Sequence, residues 1–299
     1  MTSDRPRTVV FAYSEVGWRC LKALVESGSN IRAVFTYEDD LEEDTWFHSV
    51  KELASEASLP VYTPEGVADG QTMELLKEID PELVFSFYYR HLLPEDVLKL
   101  PRLGAFNIHG SLLPKYRGRA CVNWAIINGE TETGATLHWM TPRPDEGDIV
   151  AQKKVPIGEA DTAKEVMLRV ARAAEELIRD NLVLLESGMA PRTPQDHFKA
   201  TRFGGRKPED GLIEWNAPAR DIANLVRAVT RPYPGAFTFF EGRKVYIWKV
   251  TPLEGDTKAP PGTVVGTSPL VVSAGRGLLR IDEADADVSL AEGDTLGEN

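Results

Sequence analysis

RTVVFAYSEVGWRCLKALVESG, residues 7–28, decides how the chain is read. Its first seven residues are rich in Val, Phe and Tyr, side chains that favour extended backbone. Its last eleven place Leu21, Leu24 and Val25 at helical spacing and stop at Gly28. A strand followed closely by a helix is the repeating unit of an α/β fold. The connection AYSEVGW reads as a loop without the GxGxxG of dinucleotide-binding turns, so a Rossmann-like shape does not by itself imply NAD.

The alternation continues through two-thirds of the chain. Strand-like runs IRAVFTY (31–37), PVYTP (60–64), ELVFSFYY (82–89), GAFNIHG (104–110), TGATLHWMT (133–141) and IVAQKKVPI (149–157) alternate with helix-like runs at 47–58, 73–80, 94–100 and 119–130. The longest helix can be capped by Asp161 or by Thr162, which with Glu165 fits a capping box, and it runs to Gly188. The pattern predicts an α/β fold, a Rossmann-like and mostly parallel sheet with helices on both faces, over residues 1–189. Residues 190–206 are polar, with Pro and Gly, and read as a linker. One helix-like run (217–229) and several short strands then predict a small β-rich, barrel-like (OB-like) domain over 207–299. The end, DEADADVSLAEGDTLGEN, is acidic and poor in apolar residues, which predicts a frayed terminus.

Composition narrows the function classes. The 299 residues carry a formal net charge of −12, which argues against non-specific binding to nucleic acid or to an anionic membrane. Two cysteines, Cys20 and Cys121, make neither a disulfide framework nor a CxxC metal signature, so a reducing cytoplasm is expected. The N-terminal apolar run is too short for a signal peptide, and no stretch reaches the ~20 apolar residues of a membrane span. No membrane insertion is expected, and a homo-oligomer is compatible with the sequence.

The candidate chemistry lies in FNIHGSLLPKYRGRACVNW, residues 106–124. Asn107 and His109 are two apart at the carboxyl end of a strand, so both side chains share one face where ligands collect in open α/β sheets. Histidine passes protons near neutral pH, and an Asn amide N–H stabilises an oxyanion. Asp145, Glu146 and Asp148 in PRPDEGDIV supply carboxylates that could orient the imidazole and raise its pKa. Together these suit acyl or proton transfer. Plainer readings stand beside this one: a hydrogen-bonded structural histidine, a solvated basic loop at Lys115, Arg117 and Arg119, and a turn-capping Asp145. No HxxxH or Cys partner favours zinc, so no metal is expected, and Ser111 lacks a GxSxG elbow.

Three elements occur in order: Asn107-Ile108-His109, Ser111-Leu112-Leu113-Pro114-Lys115-Tyr116-Arg117-Gly118 and Asp145-Glu146-Gly147-Asp148-Ile149. This series resembles the signature of the 10-formyltetrahydrofolate-dependent formyltransferases. TVVFAY, VFSFYYRHLL, INGETETGATLH, FGGRKPED and RPYPGAF extend the resemblance over nearly the whole chain, toward the formyltransferase part of bifunctional polymyxin-resistance proteins. The NAD-dependent decarboxylase domain of those proteins has no counterpart here, so that activity is not expected. Cys121 stands where the family usually has proline, at the start of a helix.

The resemblance implies a catalytic domain over 1–189 and formyl transfer from 10-formyltetrahydrofolate to the amine of a nucleotide-linked amino sugar, UDP-4-amino-4-deoxy-L-arabinose. Asn107 would stabilise the tetrahedral oxyanion, His109 would shuttle the proton, and Asp145 would raise the His109 pKa and hold its orientation. His91, Leu92, Leu93, Arg119, Thr141, Pro142, Arg143, Pro144 and Asp145 would line the folate site. Arg119 would address the folate tail or the substrate phosphates. Residues 207–299 hold ten Lys and Arg against fourteen Asp and Glu, which favours a nucleotide sugar over methionyl-tRNA as acceptor. A non-catalytic folate or nucleotide-sugar binding protein is the reading from another class. Sugar choice would lie in AYSEVG and in 37–47, while Lys115 and Arg117 have no assigned role beyond the loop itself.

Overall fold

A computed structural model describes residues 5–38, 46–67, 70–255, 257–285 and 289–297. The chain forms two compact units. One runs up to Cys121 and includes 132–156 and 167–203; the other includes 122–131, 157–166 and the chain from Gly204 onward. Residues 190–203, most of the segment that reads as a linker, fall within the first unit. Residues 39–45, in the stretch expected to influence sugar choice, lie outside the described residues.

The first unit begins with β1 (Thr8–Ala12), α1 (Ser14–Glu26), β2 (Ile31–Phe35), α2 (Val50–Glu56), β3 (Val61–Tyr62), α3 (Gly70–Ile79), β4 (Leu83–Phe87), α4 (Glu95–Leu98) and β5 (Gly104–His109). It continues through β6 (Arg117–Gly118), α5 (Cys121–Ile127), β7 (Glu132–Trp139), β8 (Ile149–Pro156), α6 (Ala163–Glu186) and β9 (Arg202–Phe203), with α5 and α6 crossing the boundary between the units. The main sheet has the order β3-β2-β1-β4-β5-β7-β8. Pairing is parallel from β3 to β5 and antiparallel where β7 joins β5 and β8 joins β7.

β1 and β4 are buried along their whole length, which explains their unbroken apolar runs. Val9, Phe11, Ala33, Phe35 and Val84 pack with Leu76 of α3 and Val97 beside it on α4, and Phe11 stacks on Phe35 at 4.6 Å. Each such Val, Leu or Phe burial contributes roughly 1.5–3 kcal/mol. α1 packs Gly17 against Ala12, on the face opposite Phe11, and α2 lies beside α1.

The connection AYSEVGW is not a loop. α1 starts at Ser14, leaving Tyr13 alone between strand and helix. Gly17 is helical, and a Cβ there would lie 3.1 Å from the Ala12 carbonyl carbon and from the Phe87 oxygen. The glycine permits close helix–sheet approach where the sequence suggests a break. The capping box on α6 forms as expected: Thr162 N donates to Glu165 Oε2 at 2.8 Å and Glu165 N to Thr162 Oγ1 at 3.4 Å.

The second unit carries α7 (Ala219–Val229) and an antiparallel sheet of β10 (Ala236–Phe240), β11 (Arg243–Leu253), β12 (Val264–Thr267), β13 (Leu270–Ser273) and β14 (Leu278–Ala284), ordered β10-β11-β14-β13-β12. Residues 289–297 of that end are not frayed, while 286–288, 298 and 299 lie outside the described residues. Gly297 bridges Phe239 of β10, Thr295 bridges Thr263 just before β12, and Leu296 is buried between them. One segment therefore ties both edge strands, the closure that a barrel-like sheet needs. One apolar side chain anchors an otherwise polar tail, which composition alone does not show.

No helix among the described residues is long and apolar enough to cross a membrane, and no group of three or more His, Cys, Asp or Glu among them could hold a metal ion.

Candidate active site

β5 ends at His109, and Asn107 and His109 lie on one face, as their spacing requires. Across the antiparallel ladder, Asn107 pairs with His138 and His109 with Thr136. These cross-strand neighbours share that face and form its floor.

His109 is buried and touches two polar groups. Its Nε2 lies 2.7 Å from the Tyr116 carbonyl oxygen. A carbonyl only accepts, so Nε2 carries the hydrogen and Nδ1 is the nitrogen left to exchange a proton. Nδ1 faces Asp145 Oδ1 at 3.5 Å. The other Asp145 oxygen accepts from Gly118 N at 2.7 Å. The three carboxylates of the DEGD turn separate cleanly. Asp145 meets His109, Glu146 pairs with Arg202 (3.1 Å) and Arg117 (3.5 Å), and Asp148 pairs with Arg192 (3.8 Å).

His138 does not emerge from the sequence as a site residue. Its Nδ1 lies 2.8 Å from the Trp139 carbonyl oxygen and therefore donates, leaving Nε2 bare. Asn107 Nδ2 donates to that nitrogen at 3.0 Å. Burial, foremost, pushes the His138 pKa down to about 4, so the ring is neutral at pH 7. A neutral acceptor fixes the Asn107 amide by one N–H, and that contact leaves the second N–H uncommitted. The available signal was TLHWM itself, a histidine inside a buried strand, but its partner is visible only once β5 and β7 are paired.

The remaining predicted contacts are spread more widely. Leu93 is buried in the core, Leu92 is 73% exposed, and His91 packs its ring against Tyr37 (5.8 Å) and Tyr89 (6.0 Å). Thr141 Oγ1 donates to the Arg143 carbonyl at 2.7 Å, and the Pro144 carbonyl accepts from Arg202 at 3.1 Å. Pro142 and Arg143 are exposed. Arg119 is exposed and its guanidinium has no partner among the described residues, whereas Arg117 is 4% exposed and bonded to Gln195 (2.7 Å) and His197 (3.0 Å). A cavity of about 550 Å³ borders the same loop, with Met140, Thr141, Gly147 and Leu98 in its wall.

Two family models match the chain in tandem: formyl transferase over residues 7–182, and formyl transferase, C-terminal domain, over 206–289. The chain belongs to the formyl transferase family. Solved structures share the fold of this formyltransferase. WlaRD, a sugar 3N-formyl transferase in the presence of dTDP and 5-N-formyl-THF, is 20% identical with a TM-score of 0.72, over 95% of this chain and 99% of that one. An N-formyltransferase from Helicobacter canadensis in complex with folinic acid and dTDP-3-aminofucose is 20% identical with a TM-score of 0.70, over 94% and 99%. HypX from Aquifex aeolicus in complex with tetrahydrofolic acid matches at 20% identity and a TM-score of 0.64, over 94% of this chain and 44% of that longer one.

Proposed function

We propose that this formyltransferase moves a formyl group from 10-formyltetrahydrofolate to the amine of a nucleotide-linked amino sugar, with UDP-4-amino-4-deoxy-L-arabinose as acceptor. The observation that carries the reading is His109 held between the Tyr116 carbonyl and the Asp145 carboxylate, on the face it shares with Asn107. As the amine attacks the formyl carbon, negative charge grows on the formyl oxygen, and the free Asn107 N–H is the donor for it. His109 Nδ1 takes the proton from the amine and delivers it to the departing folate nitrogen. Once Nδ1 is protonated, the Asp145 carboxylate accepts from it and stabilises the imidazolium charge.

The folate contacts are proposed at the loop from Thr141 to Asp145 and at His91, Leu92 and the backbone of Leu93. Arg119 offers to a carboxylate or phosphate an exposed guanidinium that is unpaired among the described residues. The sugar class is supported by two structural relatives that hold dTDP or a dTDP-amino sugar. The particular sugar is supported by sequence resemblance alone.

The test is formyl transfer from 10-formyltetrahydrofolate to a panel of UDP- and dTDP-linked amino sugars, with methionyl-tRNA in parallel. Formylated UDP-4-amino-4-deoxy-L-arabinose is the expected product. Turnover of methionyl-tRNA alone overturns the acceptor, and binding without product across the panel overturns the enzyme reading.

A further inference from the structure

The segment 195–203, outside the central sheet, touches both supports of His109. Gln195 is buried, and its Nε2 donates to the carbonyls of Asp145 (2.9 Å) and Gly147 (2.7 Å). Its Oε1 accepts from Arg117 Nη2 at 2.7 Å. A side-chain amide with both ends engaged has little freedom to turn. Six residues on, Thr201 Oγ1 accepts from Tyr116 N at 2.8 Å, and Phe203 stacks on the Tyr116 ring at 5.1 Å. β9 also pairs with β6, whose Gly118 N holds the Asp145 carboxylate.

Asp145 and Tyr116 are both non-glycine residues in the left-handed region, at φ 63° and φ 58°. Such conformations cost of order 1–3 kcal/mol and persist where surrounding contacts hold them. At Asp145 the holding contacts come from Gln195 and from Gly118, and at Tyr116 from Thr201 and Phe203. One continuous stretch of chain therefore restrains the residue facing Nδ1 of His109 and the residue bonded to Nε2.

We infer that residues 195–203 are a positioning strap for His109, with Gln195 setting the Asp145 side and Thr201 the Tyr116 side. The inference rests on the roles proposed above for His109 and Asp145. Gln195 touches no reacting atom in this account; it acts through Asp145. Misplacing that carboxylate by about 1 Å is enough to cost on the order of 10²-fold in rate.

The experiment uses the full chain, 10-formyltetrahydrofolate and UDP-4-amino-4-deoxy-L-arabinose. Gln195→Ala is expected to lower kcat on the order of 10²-fold with KM for both substrates unchanged. In an Asp145→Asn background the same change is expected to add little, because both act through one contact. Should Gln195→Ala not fold, Gln195→Glu keeps the size and the acceptor for Arg117, loses both donors, and carries the same test. Imidazole ¹⁵N NMR supplies a readout that needs no acceptor, with the His109 signals assigned by their loss in His109→Ala. Gln195→Ala is expected to move the Nδ1 resonance, and Thr201→Val the Nε2 resonance. Unmoved resonances, or a loss in kcat that is additive with Asp145→Asn, overturn the strap. Absence of transfer by the wild-type protein, with the resonances moving as expected, overturns the proposed reaction and leaves the strap standing.

Discussion

Asn107 donates its side-chain amide to His138 Nε2 over 3.0 Å, and His138 is bound to act as acceptor because its Nδ1 already donates to the Trp139 carbonyl. The oxyanion donor of the proposed reaction is thus oriented by a buried, uncharged imidazole. A protonated His138 would present a donor to a donor and break this contact.

That relationship predicts an acid-sensitive stability. The His138 pKa is lowered by burial from its ordinary value of 6.5 to about 4. Between those values the unfolded chain binds a proton that the folded chain does not, so stability falls as pH drops from 6.5 toward 4. This one group should remove roughly 2 kcal/mol between pH 7 and pH 5. Urea midpoints at the two pH values, in wild type and in His138→Gln, check it: the variant should lose less on acidification.

The pair on β5 predicts a division between chemistry and folding. His109→Ala should lower turnover about 10²–10⁴-fold and Asn107→Ala about 10²–10³-fold. Neither should lower the melting temperature by more than a few degrees, a scale set by about 1 kcal/mol. Near wild-type turnover in both variants would remove their assigned roles.

Gly147 has no space for a side chain, since a Cβ there would land on the Trp139 carbonyl oxygen. Its own carbonyl accepts from Gln195. Gly147→Ala should push the Asp145 turn off His109, cutting kcat and costing about 1–3 kcal/mol of stability. Thermal melts and steady-state kinetics on the one variant measure both effects.

Two arginines of the same loop should behave oppositely. Arg117 is buried among Gln195, His197 and Glu146, so Arg117→Ala leaves polar groups unpaired and should cost about 3–5 kcal/mol. Arg119 is exposed, and Arg119→Ala should leave the melting temperature alone while raising KM for an anionic substrate about tenfold, the equivalent of ~1.4 kcal/mol. A drop in melting temperature for Arg119→Ala with unchanged KM would reverse the assignment.

By itself the sequence determined what local pattern can encode. Alternating strand-like and helix-like runs dictated the mostly parallel sheet, the N-x-H spacing put Asn107 and His109 on one face, and Thr162 with Glu165 announced the start of α6. Each of these depends on neighbours within a few positions, where the backbone repeat fixes geometry. Only the tertiary structure decided which of three adjacent carboxylates meets His109, and why Arg117 is buried while Arg119 is free. It alone brought His138 behind Asn107 and turned QDHFKATRF from an apparent linker into a brace against the site. Those contacts join residues 31 to 85 positions apart. Strand pairing and packing set their distances, and no local periodicity reports on them.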